Sequence, residues 1–168
     1  SEQGGGIAKT VESTRKSSRD DLKRIGRKNL TKSSTYGTTT LEAKSGYGLS
    51  VDSEIKLLEV SNRLHGENQN VMSTWLGAHD FPKDKTHSEY MDELIHEQLP
   101  LISENKLSNW IDVFCEPGWF NLEQTELLVK SANEYGMKSR LHVDEFVDSG
   151  GLSLAAELKS CSADHVGY

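Results

Sequence analysis

Cysteine is scarce in this chain: Cys115 and Cys161 are the only two in 168 residues. Two thiols are too few for a disulfide framework, and their spacing is not that of a zinc ribbon. A reducing, cytoplasmic setting is therefore expected. Long apolar runs are missing too. None approaches the roughly 20 residues that cross a bilayer, and residues 1–10 read as a glycine-rich start rather than a signal peptide. Basic residues are outnumbered, 19 Lys and Arg against 26 Asp and Glu for a formal charge of -7, with no basic block beyond residues 15–32. That balance argues against nucleic acid or an anionic membrane as partner and leaves a small molecule. A Gly-x-Ser-x-Gly elbow is absent, and no glycine-rich dinucleotide fingerprint follows the first expected strand.

What is present is an alternation. Gly4 to Gly6 open a flexible start. Leu22, Ile25 and Leu30 recur at roughly helical spacing within residues 17–34, which predicts a surface helix. Gly37 breaks it, and the β-branched run 38–43 predicts a strand followed by a loop over 44–48. Asp52 is placed to cap a helix with Leu57, Val60 and Leu64 inward, ending near His65 and Gly66. A strand over 71–78 closes on His79, a loop covers 82–86, and a helix over 88–97 is interrupted by Pro100. Residues 110–115 form a third strand ending at Glu116. Asn121 and Gln124 resemble a capping box for a helix lined by Leu128, Ala132 and Tyr135 and stopped by Gly136. Residues 137–143 give a fourth strand. Gly150 and Gly151 lead into a helix with Leu154, Ala155 and Leu158, and a fifth strand starts over 163–166. Strand, helix and strand repeat about every 30 residues, as in parallel α/β folds, and a piece of a (β/α) barrel fits better than a nucleotide-binding doubly wound sheet.

The six histidines divide. His65, His87 and His96 fall on helices or surface loops and read as solvated. His79, His142 and His165 fall at the C-terminal ends of strands, as does Glu116. Parallel barrel strands open those ends onto one face, where active sites form. Imidazole suits zinc or iron, and a carboxylate such as Glu145 can take a proton from an attacking water. A structural role for each histidine alone stays open. Cys115 lies inside an apolar run and reads as a buried, inert thiol rather than a nucleophile. Tyr47, between two glycines after a strand, either reaches a ligand or covers the barrel mouth, with the cover favoured.

At these residues the chain resembles the imidazolonepropionase family of the amidohydrolase superfamily. The match is carried by Gly4-Gly5-Gly6-Ile7, Gly37-Thr38-Thr39-Thr40 and Glu42-Ala43-Lys44-Ser45-Gly46-Tyr47-Gly48-Leu49. It continues through Leu76-Gly77-Ala78-His79, Asp112-Val113-Phe114-Cys115-Glu116, His142-Val143-Asp144-Glu145-Phe146, Gly150-Gly151 and Ser162-Ala163-Asp164-His165. The resemblance implies a metal-dependent hydrolase with a (β/α)8 TIM barrel, one zinc or iron at its mouth, and residues 1–168 as the central part of that single domain. It implies His142 as a metal ligand and Glu145 as a proton shuttle that also touches substrate. His165 would orient or activate the water, and Tyr47 and His79 would hold the imidazolone ring and its propanoate end. The implied reaction opens the cyclic C–N bond of 4-imidazolone-5-propanoate to give N-formimidoyl-L-glutamate.

The departures are as informative. The family's His-x-His pair, a following arginine and a strand-end aspartate are not found here, and Arg15 lies too far along to replace that arginine by motif. Val143 stands where alanine is usual. The chain therefore reads as about strands 2–6 of the barrel, inactive alone, with open edges that invite association and allow a homo-oligomer. Another amidohydrolase, such as a cyclic amidase or deaminase, and a non-catalytic α/β binding or scaffold fragment are the alternatives.

Overall fold

The computed structural model of the chain describes residues 7–67 and 69–168, with Ala8 by its backbone alone. Gly4 to Gly6, expected as a flexible start, lie outside the described residues. Five parallel strands form one sheet in the order β1-β2-β3-β4-β5. They are β1 (Thr40–Lys44), β2 (Asn70–Ala78), β3 (Trp110–Cys115), β4 (Lys138–Val143) and β5 (Ser162–His165). Chain order equals spatial order and every neighbour is parallel, which is the connectivity of an α/β barrel wall.

The sheet is strongly curled, and two ion pairs measure the curl. Adjacent strands sit about 4.8 Å apart, so a flat sheet would hold β1 far beyond a lysine's reach from β5. Yet Lys44 on β1 lies 3.1 Å from Asp164 on β5, and Glu42 on β1 lies 2.9 Å from Arg140 on β4. The concave face is lined by charges that meet across the bend. This is the half-barrel that the alternation of elements predicts.

The convex face carries the core. Trp75, Ile111, Val113, Leu141 and Val143 are buried against Tyr90, Leu94, Leu128 and Ala132 of the covering helices. These are α3 (Val51–Leu64), α4 (His87–Glu93), α5 (Leu99–Glu104), α6 (Leu122–Glu134) and α7 (Gly151–Glu157), preceded by α1 (Ile7–Lys16) and α2 (Arg19–Ser34). β4 alternates buried and less buried positions, with Ser139, Leu141 and Val143 outward to the helices and Arg140 and His142 to the concave side.

Several expectations need correction. Helix α1 was not foreseen, because residues 7–16 have few apolar positions to mark a face. On α2, Ile25 is exposed, and the packing stripe runs Leu22, Gly26, Leu30. Gly26 lets α2 lie so close to α3 that an added Cβ would meet Leu64 at 2.5 Å. Ser50, not Asp52, is the N-cap of α3, although its side chain makes no capping bond. Leu57 is only partly buried while Leu58 is fully buried, because α3 is covered on two sides, by the sheet and by α2. Tyr135 is the exposed C-cap of α6 rather than part of its inner face, whereas the Asn121–Gln124 capping box is present as expected. Pro100 does not end its helix. A π-helical turn over Leu94–Gln98 widens the backbone just before it, and helix continues to Glu104. The three histidines read as solvated, His65, His87 and His96, are exposed, and two of them also touch a neighbour: His65 Nδ1 lies 2.9 Å from the Val71 carbonyl, and His87 stacks on Phe81 at 3.7 Å.

Candidate active site

Because all five strands are parallel, the residues that follow them share one edge. Tyr47, His79, His142, Glu145 and His165 all arrive there. The rings form a continuous line: Tyr47 to His79 at 5.1 Å, His79 to Phe114 at 6.0 Å, Phe114 to His142 at 6.0 Å and His142 to His165 at 5.2 Å. Phe114 is the hub of this line and also packs against Trp119 and Phe146.

His79 owes its direction to a bulge. Trp75 pairs with Ile111 and Ala78 with Val113, so β2 uses three steps where β3 uses two. One extra residue inverts the alternation, turning His79 toward the concave side, where simple period-2 pairing would have aimed it at the helices. Glycine is needed at 77 because a Cβ there would meet Trp75 Nε1 at 2.5 Å and Gln98 Oε1 at 2.9 Å. The His79 ring is set by the Gly46 carbonyl, 2.9 Å from Nδ1. A carbonyl only accepts, so Nδ1 carries the proton and Nε2 is left free.

The loop that supplies this carbonyl and carries Tyr47 is clamped from two sides. Glu54, in the first turn of α3 and fully buried, accepts from the backbone N–H of Gly46, Gly48 and Leu49 at 2.9, 2.7 and 2.9 Å. Arg15 donates to the carbonyls of Gly48 and Leu49, both at 2.7 Å. Arg15 is thus committed to the loop backbone. Tyr47 itself is exposed at the rim.

His142 is oriented by a residue that spacing did not single out. Its Nδ1 lies 2.8 Å from Asp112 Oδ1, so Nδ1 donates to the carboxylate and Nε2 is presented to the edge. Asp112 is fully buried and its other oxygen receives Lys44 Nζ at 2.5 Å, while Lys44 also reaches Asp164 at 3.1 Å. Burial opposes the Lys44 charge, but Asp112 and Asp164 outweigh it and hold the ammonium above its ordinary range. Burial likewise opposes the Asp164 charge, and Lys44 reverses that, lowering its carboxyl. Ligand atoms of Asp112, His142 and Asp164 lie within 4.8 Å of one another, a spacing that suits a metal ion. The Lys44 ammonium already engages one oxygen of each carboxylate, however. Asp112 engages only Nδ1 of His142, and a carboxylate on one ring nitrogen is the arrangement metal-binding histidines use.

Glu145 follows a kink. Asp144 adopts φ +51°, uncommon for a residue with a side chain, and its buried carboxylate holds the turn by accepting from Ser149 N, Ser149 Oγ, Gly151 N and Leu152 N. Burial alone would raise the Asp144 carboxyl, and these donors bring it below its usual range. Val143, in the place where alanine was expected, is accommodated by Gly151: a Cβ there would stand 2.7 Å from that of Val143. The Glu145 carboxylate reaches His165 Nε2 at 3.4 Å. Cys115 is buried as expected, and burial pushes its thiol up, away from nucleophilic use.

No protein-family model matches the chain. Over 167 residues it is 43% identical to an imidazolonepropionase of Alkaliphilus oremlandii, covering 98% of this chain and 40% of that protein. An imidazolonepropionase of Thermoanaerobacter pseudethanolicus gives the same 43% with the same coverage. One from Bacteroides thetaiotaomicron is 44% identical over 170 residues, 98% of this chain and 41% of that protein. The chain is homologous to the imidazolonepropionases. It spans about two-fifths of the length of the curated relatives it matches.

In this imidazolonepropionase homologue, sequence reasoning named the five residues that the sheet brings to one edge but missed those that hold them. Lys44, Asp112 and Asp164 were visible only as letters within motifs. The one available signal was a charged residue at the concave-facing position of three strands. Glu54 carried no signal beyond an acidic residue in a helix's first turn. No helix among the described residues is long and apolar enough to cross a membrane.

Proposed function

We propose that this chain forms the central part of a single metal-dependent hydrolase barrel domain that opens the ring of 4-imidazolone-5-propanoate in histidine breakdown. Support comes from one observation above all: Tyr47, His79, His142, Glu145 and His165 share the strand-end edge in a homologue of imidazolonepropionases. Water adds to the ring carbonyl carbon, the C–N bond to the adjacent ring nitrogen breaks, and that nitrogen takes a proton, giving N-formimidoyl-L-glutamate.

His142 Nε2 would hold zinc or iron, with the remaining ligands from outside this chain, since a catalytic zinc generally takes three protein ligands. When bound, the metal polarises the carbonyl and lowers the pKa of water. Glu145 takes a proton from the attacking water and returns it to the departing nitrogen. His165, against the Glu145 carboxylate, orients that water. His79 offers Nε2 as an acceptor for a ring N–H, because the Gly46 carbonyl fixes the proton on Nδ1. The Tyr47 ring packs edge-on to His79 and borders the end of the site that receives the propanoate.

The test is a segment exchange. The matched 167 residues of the Alkaliphilus oremlandii relative are replaced by this chain, and turnover of imidazolonepropanoate is followed together with metal content. The expected result is turnover that His142→Ala abolishes with loss of metal, while the 168-residue chain alone is inactive. A folded, metal-loaded chimera without turnover, beside an active parent, overturns the reading.

A further inference from the structure

We propose that Glu116 is a positioning residue for Glu145, acting through the Glu145 backbone amide. The inference rests on the hydrolase reading above, in which Glu145 moves the proton.

The ladder between β3 and β4 ends with the pair Cys115 and Val143. Beyond it, Asp144 turns into the left-handed region, and the next N–H, that of Glu145, has left the sheet. A parallel ladder would have offered that N–H a backbone carbonyl. Here the Glu116 side chain supplies the acceptor instead, its Oε1 lying 2.5 Å from Glu145 N. The kink is held on its other side by the Asp144 carboxylate, tied to the start of α7 through Gly151 and Leu152. Glu145 is thus fixed by carboxylates on both flanks, one on its own amide and one on the residue before it. That is what sets its side chain 3.4 Å from His165.

Glu116 is 1% exposed, and its Oε2 has no hydrogen-bond partner among the described residues. A buried oxygen left without a partner requires an explanation. Rigid placement of a proton-transfer group supplies one, because an acceptor that is itself packed on every side leaves the Glu145 backbone a single position.

The experiment has two arms. In the 168-residue chain, hydrogen exchange of the Glu145 amide is measured in Glu116→Gln and Glu116→Ala. In the segment-exchange chimera, kcat and KM are measured for the same variants. Glu116→Gln keeps an acceptor oxygen for the amide and should keep protection and most of kcat. Glu116→Ala should lose protection and about 10²-fold in kcat, as a misplaced group does, with KM little changed. Should Glu116→Ala fail to fold, Glu116→Asp, which withdraws the acceptor by one methylene, replaces it with the same expectation. Full kcat in the alanine or aspartate variant, a loss confined to KM, or an equal loss in Glu116→Gln overturns the proposal. A chimera that lacks turnover with Glu116 intact refutes the hydrolase reading instead, and since the inference rests on that reading it falls too, leaving amide exchange to report only the bond.

Discussion

Replacing Glu54 by alanine should do more damage than replacing any exposed carboxylate of this chain. The side chain is fully buried and accepts from three backbone N–H groups of the loop that carries Tyr47. A hydrogen bond to a charged acceptor contributes about 1.5–3 kcal/mol, and each N–H left without a partner in the interior carries a penalty of similar size. The first-turn position adds about 0.3–1 kcal/mol through the helix dipole. Against these stand the desolvation of the carboxylate itself, relieved in the variant, and partial refilling by water. The net for breaking one side of such a buried network is about 3–5 kcal/mol. For a chain of this size that corresponds to a fall in Tm of about 10 °C. Glu54→Gln keeps an oxygen for Gly48 and Leu49 but turns an NH2 toward the Gly46 N–H, so about half the loss is expected. The assay is urea unfolding of the chain followed by tryptophan fluorescence, with midpoint and slope both recorded. If both variants unfold within 1 kcal/mol of the parent, the clamp does not hold the loop and the reasoning fails.

Three further expectations concern the charged interior and the β4–α7 junction. Lys44→Met leaves Asp112 buried with only His142 as partner, and since Lys44 is itself 23% exposed the loss should be about 2–4 kcal/mol in urea unfolding, largely recovered by adding Asp112→Asn. Gly151→Ala should cost about 1–3 kcal/mol through overpacking on Val143, and a cycle with Val143→Ala should give a double variant more stable than the sum of the two singles. Additivity in that cycle would disprove the contact. Asp144 titrates below its unfolded value, so its contribution is present above a pH of about 3.9 and is lost as pH falls through the lower folded value. The stability gap between the parent and Asp144→Asn should therefore be widest near neutral pH and close on acidification, and a gap that is flat with pH contradicts the assignment.

How much of this was legible in the sequence depends on whether a signal is local. The β-branched run before Lys44, the apolar run 110–115 and the capping box at Asn121 are local patterns, and the structure contains each of them. The strand-end histidines could be grouped because parallel topology alone brings those ends together. The bulge at Leu76 and Gly77 was not legible: it is a property of the pairing with β3, and the same letters read equally well as regular strand. Nor were Asp112 and Lys44, since a buried acid and its counter-ion 68 residues away become partners only when the sheet bends. The helix running past Pro100 escaped for a similar reason, because a π turn one step earlier removes the conflict that proline normally creates.

The link from Lys44 to Asp164 joins residues 120 apart in the chain. Such a contact closes a loop of 120 of the 168 residues, and the entropy of that closure must be met before the ion pair returns anything. Between β1 and this partner stand β2, β3 and β4. The pair therefore depends on the whole curl of the sheet: without β5 in register Lys44 keeps Asp112 but not Asp164, and the second carboxylate reaches it only when all five strands stand in place.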